Sequence, residues 1–256
     1  MKILERKLEI CDSRAKLYDR AAKLFVKKVT QFAATPFYGL IALSGGSTPK
    51  GLYELLARPK YSKQIPWNKL CFLFGDERCV PPDDSESNYK MAYDTLLSKV
   101  PVRESNIFRF KTELAPKLAA KNYEDMINAY FGPDSRIGLV LLGMGADGHT
   151  ASLFPGSPAL NLKTKKTAAV YAQHLAAWRL TMTLPVFNSA REVIFLVAGK
   201  EKAEAVRKVF SDSASKLPAR MVRSGKETDV LWLVDKDAAS LLSEKTIEKF
   251  SQKQGK

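Results

Sequence analysis

Apolar positions along the chain alternate between short continuous runs and stripes at helical spacing. Short runs near 38–43, 70–74, 107–110, 137–142, 168–172, 180–184, 193–198 and 230–234 are bounded by turn residues and predict strands, with a further strand at 2–9. Leu17, Ala21, Leu24, Phe25, Val29 and Phe32 recur on one helical face. Thr35-Pro36 ends that helix, because the residue before a proline is pushed out of the α region. Leu52, Leu55 and Leu56 mark the next helix, and 89–100, 115–130, 200–210 and a last segment running through Leu241 read as further helices. Strands alternating with helices predict an α/β fold with a parallel sheet. No repeat and no Gly/Ser-rich linker divides the chain, so 1–256 reads as a single domain. Ligands of such sheets bind at the carboxyl ends of the strands. The loops there carry the unusual residues.

The first such loop follows LIAL. In SGGSTPKG, Ser44, Gly45, Gly46, Ser47 and Thr48 join a strand to a helix through a Gly-rich turn. Glycine lets a ligand approach the backbone, Ser47 or Thr48 can serve as N-cap, and Pro49 suits the first helical position. Free N–H groups at the helix start then face an anion. The loop is neither a Walker P-loop nor a dinucleotide fingerprint, and a tight structural turn would look similar.

Two later loops add chemistry. Asp76, Glu77 and Arg78 follow the run at 70–74, as a surface ion-pair cluster or as groups that orient substrate and meet negative charge. The stretch PPDDSESN beyond them reads as a rim loop. The segment GMGADGHTASLFPGSP follows the most apolar run and sets Asp147 two residues before His149. Histidine is the commonest general base near neutral pH, and a neighbouring carboxylate can orient it. The other histidine, His174, has a structural or surface reading at least as good.

Composition narrows the classes. A chain of 256 residues with 45% hydrophobic and 27% charged residues can bury a core without metal or disulfide staples. The three cysteines form no CxxC pair, no stretch approaches the ~20 apolar residues of a membrane span, and the start lacks a signal-peptide pattern. The expected setting is the cytoplasm. The net charge of +14 goes with nucleic-acid binding, capture of anionic substrates or a solvated surface. No nucleic-acid-binding signature accompanies it, so neither nucleic acid nor membrane is expected as a partner. Cys79 has no evident paired histidine and reads as a structural thiol, and no ligand spacing points to a metal or cofactor.

LSGGSTPKGLYELL, GDER…PP…SNY, GMGADGHTASLFPGSP, WRLTMTLPVFNSA and AGKEKAEAV, taken in that order, resemble the 6-phosphogluconolactonase family over nearly the whole chain. The resemblance implies a modified Rossmann-like three-layer α/β sandwich with a mostly parallel central sheet, shared with glucosamine-6-phosphate deaminases. It implies hydrolysis of 6-phosphogluconolactone to 6-phosphogluconate in the oxidative pentose phosphate pathway, with a small sugar-phosphate lactone as partner and no cofactor. By the same resemblance His149 matches the general base, while the SGGST loop, Arg179 and Lys202 match positions that hold the sugar phosphate. Asp76, Arg78 and Asp147 match polar active-site positions. The deaminases place a glutamate where this chain has Phe154, and phenylalanine cannot move protons. A deaminase-like isomerase and a sugar-phosphate-binding module without turnover are the alternatives. The sequence leaves the oligomeric state open, a monomer included.

Overall fold

The computed structural model describes residues 6–33, 39–223 and 229–251. Six parallel strands form the central sheet in the order β1-β9-β8-β5-β2-β3. They are β1 (Lys7–Cys11), β2 (Gly39–Leu43), β3 (Leu70–Phe74), β5 (Leu139–Leu142), β8 (Glu192–Val197) and β9 (Asp229–Asp235). A second, antiparallel sheet runs β4-β7-β6, from β4 (Asp76–Arg78), β6 (Thr167–Ala172) and β7 (Ala177–Met182). The central sheet is therefore wholly parallel, and the antiparallel pairings are confined to the small sheet. Gly75 joins the two sheets. Its N–H donates to the Leu43 carbonyl at 2.8 Å, and its own carbonyl accepts from the Met182 N–H at 2.7 Å.

Helices α1 (Arg14–Ala33), α2 (Ser47–Leu56), α3 (Pro59–Ser62), α4 (Asn88–Thr95) and α5 (Pro116–Phe131) belong to the first half of the chain. Helices α6 (Leu184–Ser189), α7 (Ala203–Ser211), α8 (Pro218–Met221), α9 (Lys236–Ala239) and α10 (Glu244–Phe250) belong to the second. The strands β2, β3 and β5 are buried at every position, which explains why they read as continuous apolar runs. Trp232 of β9 is fully buried and stacks on Phe195 of β8 at 3.8 Å, anchoring the core on that side of the sheet.

Several expectations need correction. The run at 107–110 is not a strand. It makes a single bridge, Ile107 to Phe72 on the sheet edge, and the Phe108 carbonyl then accepts from the Tyr123 hydroxyl at 2.9 Å instead of a strand N–H. The helix expected over 89–100 stops at Thr95, whose hydroxyl donates to the Met91 carbonyl, and a 3₁₀ turn at Leu97–Lys99 follows. The last helix is two short ones. Asp235 caps α9 by accepting from the Ala238 N–H, and Ser243 starts α10 afresh by accepting from the Thr246 N–H. The helix stop at Thr35-Pro36, Tyr38 and residues 2–5 of the first expected strand lie outside the described residues.

Topology selects the place for a site. From β2 the chain moves to β3 on one side, and from β5 it passes eventually to β8 on the other. The loops after β2 and β5, neighbours in the sheet, therefore diverge and leave a crevice at the carboxyl ends of the strands.

Candidate active site

That crevice is an open cleft of about 210 Å³, walled by the SGGST loop, Asp76, Arg78, Asn88, His149 and Lys202, among others. Leu196, Val197 and Ala198 at the end of β8 supply an apolar side.

The SGGST loop is anchored from below. The buried Tyr53 hydroxyl accepts from the Ser44 N–H and donates to the Ser44 carbonyl, both at 2.9 Å. Gly46, at φ 101°, is the N-cap of α2 and makes no side-chain cap bond. The expectation that Ser47 or Thr48 caps the helix, with Pro49 as its first residue, is thus corrected: Ser47 opens the helix and Pro49 is its third residue. Glycine takes the cap because the chain turns there through a positive φ that side chains resist. The N–H groups of Ser47 and Thr48 fall in the first turn, where a helix supplies no i−4 carbonyl, and both residues line the cleft.

Strand period separates the neighbouring acids Asp76 and Glu77. Glu77, 2% exposed, accepts from the N–H groups of Arg78, Asn88 and Tyr89 and from the Ser87 hydroxyl. It holds the start of α4 and does not line the cleft. Asp76 faces the opposite way and does line it. The Ser152 hydroxyl donates to its Oδ2 at 2.8 Å, and the Asn88 side-chain amide donates to its Oδ1 at 3.3 Å and to its carbonyl at 3.0 Å. Asn88 and Ser152 escaped the sequence reading. A helix-start Ser-Asn after a polar loop was the available signal for the first, and none marked the second.

Burial pushes the Asp76 carboxyl above its ordinary range; the Ser152 hydrogen bond and the positive charge of Arg78, His149 and Arg179 oppose that rise. A carboxyl raised by the fold favours folding below its unfolded pKa and loses that contribution as pH rises through the folded value. Asp76→Asn should therefore raise the melting temperature relative to wild type near neutral pH. The gain should vanish below the ordinary carboxylate pKa of about 3.9. Melts at both pH values check it, and a gain independent of pH would show that ionisation is not the cause.

The turn after β5 presents the histidine. Gly145 donates its N–H to the His149 carbonyl at 2.9 Å, and the Thr150 hydroxyl closes the turn onto the Gly143 carbonyl at 2.8 Å. Asp147 Oδ1 lies 2.6 Å from His149 Nδ1 and also accepts the His149 N–H at 3.1 Å. With a carboxylate on Nδ1, the neutral ring carries its proton there, and Nε2 is left as an acceptor. Partial burial pushes the Asp147 carboxyl up, but the His149 N–H and ring outweigh it and hold the group below its ordinary value. Phe154 packs on the imidazole at 4.9 Å, and His174 in turn meets Phe154 edge-on at 4.9 Å. His174 thus stands one ring behind the site and is absent from the cleft wall.

Lys202 ends a 3₁₀ turn after β8, and Asp235 fixes that turn by accepting the Gly199 N–H at 3.1 Å. Arg179 sits directly opposite Arg78 in the β4–β7 register. It lines an adjoining hollow with Cys79 and Glu86 and is not among the residues of the cleft wall; its guanidinium donates to the Trp178 carbonyl at 3.2 Å. Like charges placed opposite each other repel, and an anion between them would remove that cost. Cys79 is half-buried, outside the cleft, and burial raises its thiol pKa, in keeping with a structural thiol. Among the described residues no three His, Cys, Asp or Glu side chains gather as metal ligands would. No helix among them is long and apolar enough to cross a membrane.

A Gly-rich loop opening a helix and an acid-backed imidazole, both on one crevice of a parallel sheet, define a class of α/β proteins whose site lies at the carboxyl ends of the strands. The chain belongs to the family described as glucosamine-6-phosphate isomerases/6-phosphogluconolactonase, whose model matches residues 12–232. It is 39% identical over 233 residues to a 6-phosphogluconolactonase of Synechocystis sp., covering 88% of this chain and 94% of the relative. A 6-phosphogluconolactonase of Nostoc sp. is 36% identical over 247 residues, covering 94% of this chain and all of the relative (100%). The solved structure of 6-phosphogluconolactonase from Trypanosoma cruzi superposes with a TM-score of 0.84 at 34% identity, covering 94% and 98% of the two chains.

Proposed function

We propose that this chain, acting as a single domain, hydrolyses 6-phosphogluconolactone to 6-phosphogluconate in the oxidative pentose phosphate pathway. One observation carries the reading: the same cleft is walled by the helix-opening SGGST loop and by an imidazole whose Nδ1 pairs with a carboxylate. The substrate phosphate rests on the Ser47 and Thr48 N–H groups and the loop hydroxyls, with Lys202 and Arg179 closing on it. Held by this remote group, the lactone turns C1 toward His149. Nε2 of His149 takes a proton from water as it attacks C1, and Asp147 stabilises the imidazolium that forms. Arg78 meets the negative charge that develops on the carbonyl oxygen. The imidazolium then returns its proton to the ring oxygen as the C1–O bond breaks. No covalent intermediate is required, because a lactone carbonyl is already electrophilic.

A deaminase-like reading needs a proton-carrying group where Phe154 packs against His149, and that side chain has none. A cytoplasmic, reducing setting suits the three free cysteines. Proton release on adding freshly generated 6-phosphogluconolactone, above its spontaneous opening, tests the reading. Glucosamine 6-phosphate is the control, and turnover of it in place of the lactone would overturn the assignment.

Phosphate binding is shared by ground and transition states, so its loss falls on KM. Lys202→Ala and Arg179→Ala should each raise KM by about ten- to a hundredfold, the value of a charge-assisted hydrogen bond, with kcat little changed. Steady-state kinetics with phosphorylated and unphosphorylated lactones measures it. An unchanged preference for the phosphorylated substrate would remove these residues from the phosphate site.

A further inference from the structure

A second pocket, of about 550 Å³, opens between the start of β1, the segment after Phe154 and the loop joining α7 to α8. It shares no wall residue with the active-site cleft. Arg6, Lys216, Arg220 and Arg223 line it, with Ser213 and Ser215 beside them, and no acidic residue is among the described lining residues. The charges are held close by the fold itself. Arg6 Nη2 donates to the Arg220 carbonyl, and Arg220 is fixed in turn by the carbonyls of Val209 and Ser213. Arg6 Nε is buried without a partner. Burial, and then the nearby charges of Arg220 and Arg223, pull the Arg6 guanidinium down to about 10. Grouping like charges around a hollow with no counter-charge is costly, and a bound anion would offset that cost.

We propose that this pocket is a second anion site, separate from the sugar-phosphate cleft, that takes a compact polyphosphate such as the diphosphate or triphosphate group of a nucleotide. Two phosphates bring about three to four negative charges, which matches three guanidiniums and one ammonium. Guanidinium forks suit pairs of phosphate oxygens, and the serine hydroxyls add donors. The site is concave and within the size range of small-molecule pockets, which favours a compact ligand over a nucleic-acid strand. It also touches the catalytic turn from behind: α8 donates the Ala219 N–H to the Gly148 carbonyl at 3.0 Å.

Calorimetric titration of the full chain at fixed ionic strength with sodium tripolyphosphate, pyrophosphate and orthophosphate tests the site. One equivalent of tripolyphosphate or pyrophosphate should bind, at least about tenfold tighter than orthophosphate. The double variant Lys216→Gln/Arg223→Gln should weaken this by at least about tenfold, while Lys202→Gln should leave it unchanged. Among the described residues, neither Lys216 nor Arg223 holds a backbone group through its side chain, and an unaltered melting temperature of the double variant confirms that the fold is kept. No saturable binding would overturn the proposal, as would loss of binding in Lys202→Gln alone, which would place the anion in the cleft. A short RNA oligonucleotide that bound tighter than tripolyphosphate through Lys216 and Arg223 would also overturn it, in favour of a nucleic-acid surface.

Discussion

His149→Ala is expected to lower kcat for lactone hydrolysis by about two to four orders of magnitude, the usual worth of a positioned general base. Among the described residues of the cleft, the imidazole alone pairs an acceptor nitrogen with a carboxylate on its other nitrogen. Its removal leaves Asp147 in place, but a carboxylate, with an ordinary pKa of about 3.9, is a weak base near neutral pH. Affinity for 6-phosphogluconate should change little, since the proposed phosphate site uses the SGGST loop, Lys202 and Arg179 and not the imidazole. The measurement is initial proton release, corrected for spontaneous opening of the lactone. Near wild-type turnover would sink the role assigned to His149.

Gly145→Ala should reduce kcat by about a hundredfold by displacing the Asp147–His149 pair. A Cβ at position 145 would lie 2.2 Å from both Cε1 and Nδ1 of His149 and 2.6 Å from Asp147 Oδ1. Two atoms cannot share that space, so the methyl displaces the ring or breaks the pair. Misplacing a catalytic group by about 1 Å typically costs about a hundredfold. Product affinity and melting temperature distinguish this from unfolding, since both should stay near wild type. Full turnover by this variant would mean that the Asp147–His149 geometry is not needed.

The sequence revealed most of the frame and only part of the site. Buried parallel strands such as β2 and β5 announce themselves because both faces are apolar. The small sheet did not. β4 is three charged residues long and begins just past Gly75, so it reads as a polar loop following β3. The start of β7 carries Trp178 and Arg179, which hid its first turn of pairing and shifted the expected strand by three residues. Within the site, the loop and the Asp147–His149 pair were legible because each lies within a few consecutive residues. The division of labour between Asp76 and Glu77 was not. Adjacent acids on a strand point to opposite sides, and which side meets the cleft is decided by β7 and α4, far away in sequence. Ser152 and Asn88 were missed for the same reason: their significance lies in reaching Asp76, 76 and 12 residues away.

The exposure of the Asp147–His149 pair bears on how turnover is supplied. A third of the His149 side chain (33%) and nearly half of Asp147 (46%) meet bulk solvent. Water is a reactant here, and each spent molecule is replaced from the medium at diffusion speed. The same openness lets the proton of the newly formed carboxylic acid pass directly to buffer, so the site clears without a relay through the protein. Such an enzyme gives up the water-excluded surroundings that strengthen electrostatics in sealed sites. That concession is tolerable for a strained ester that opens unaided, where modest acceleration suffices and rapid exchange with the medium matters more.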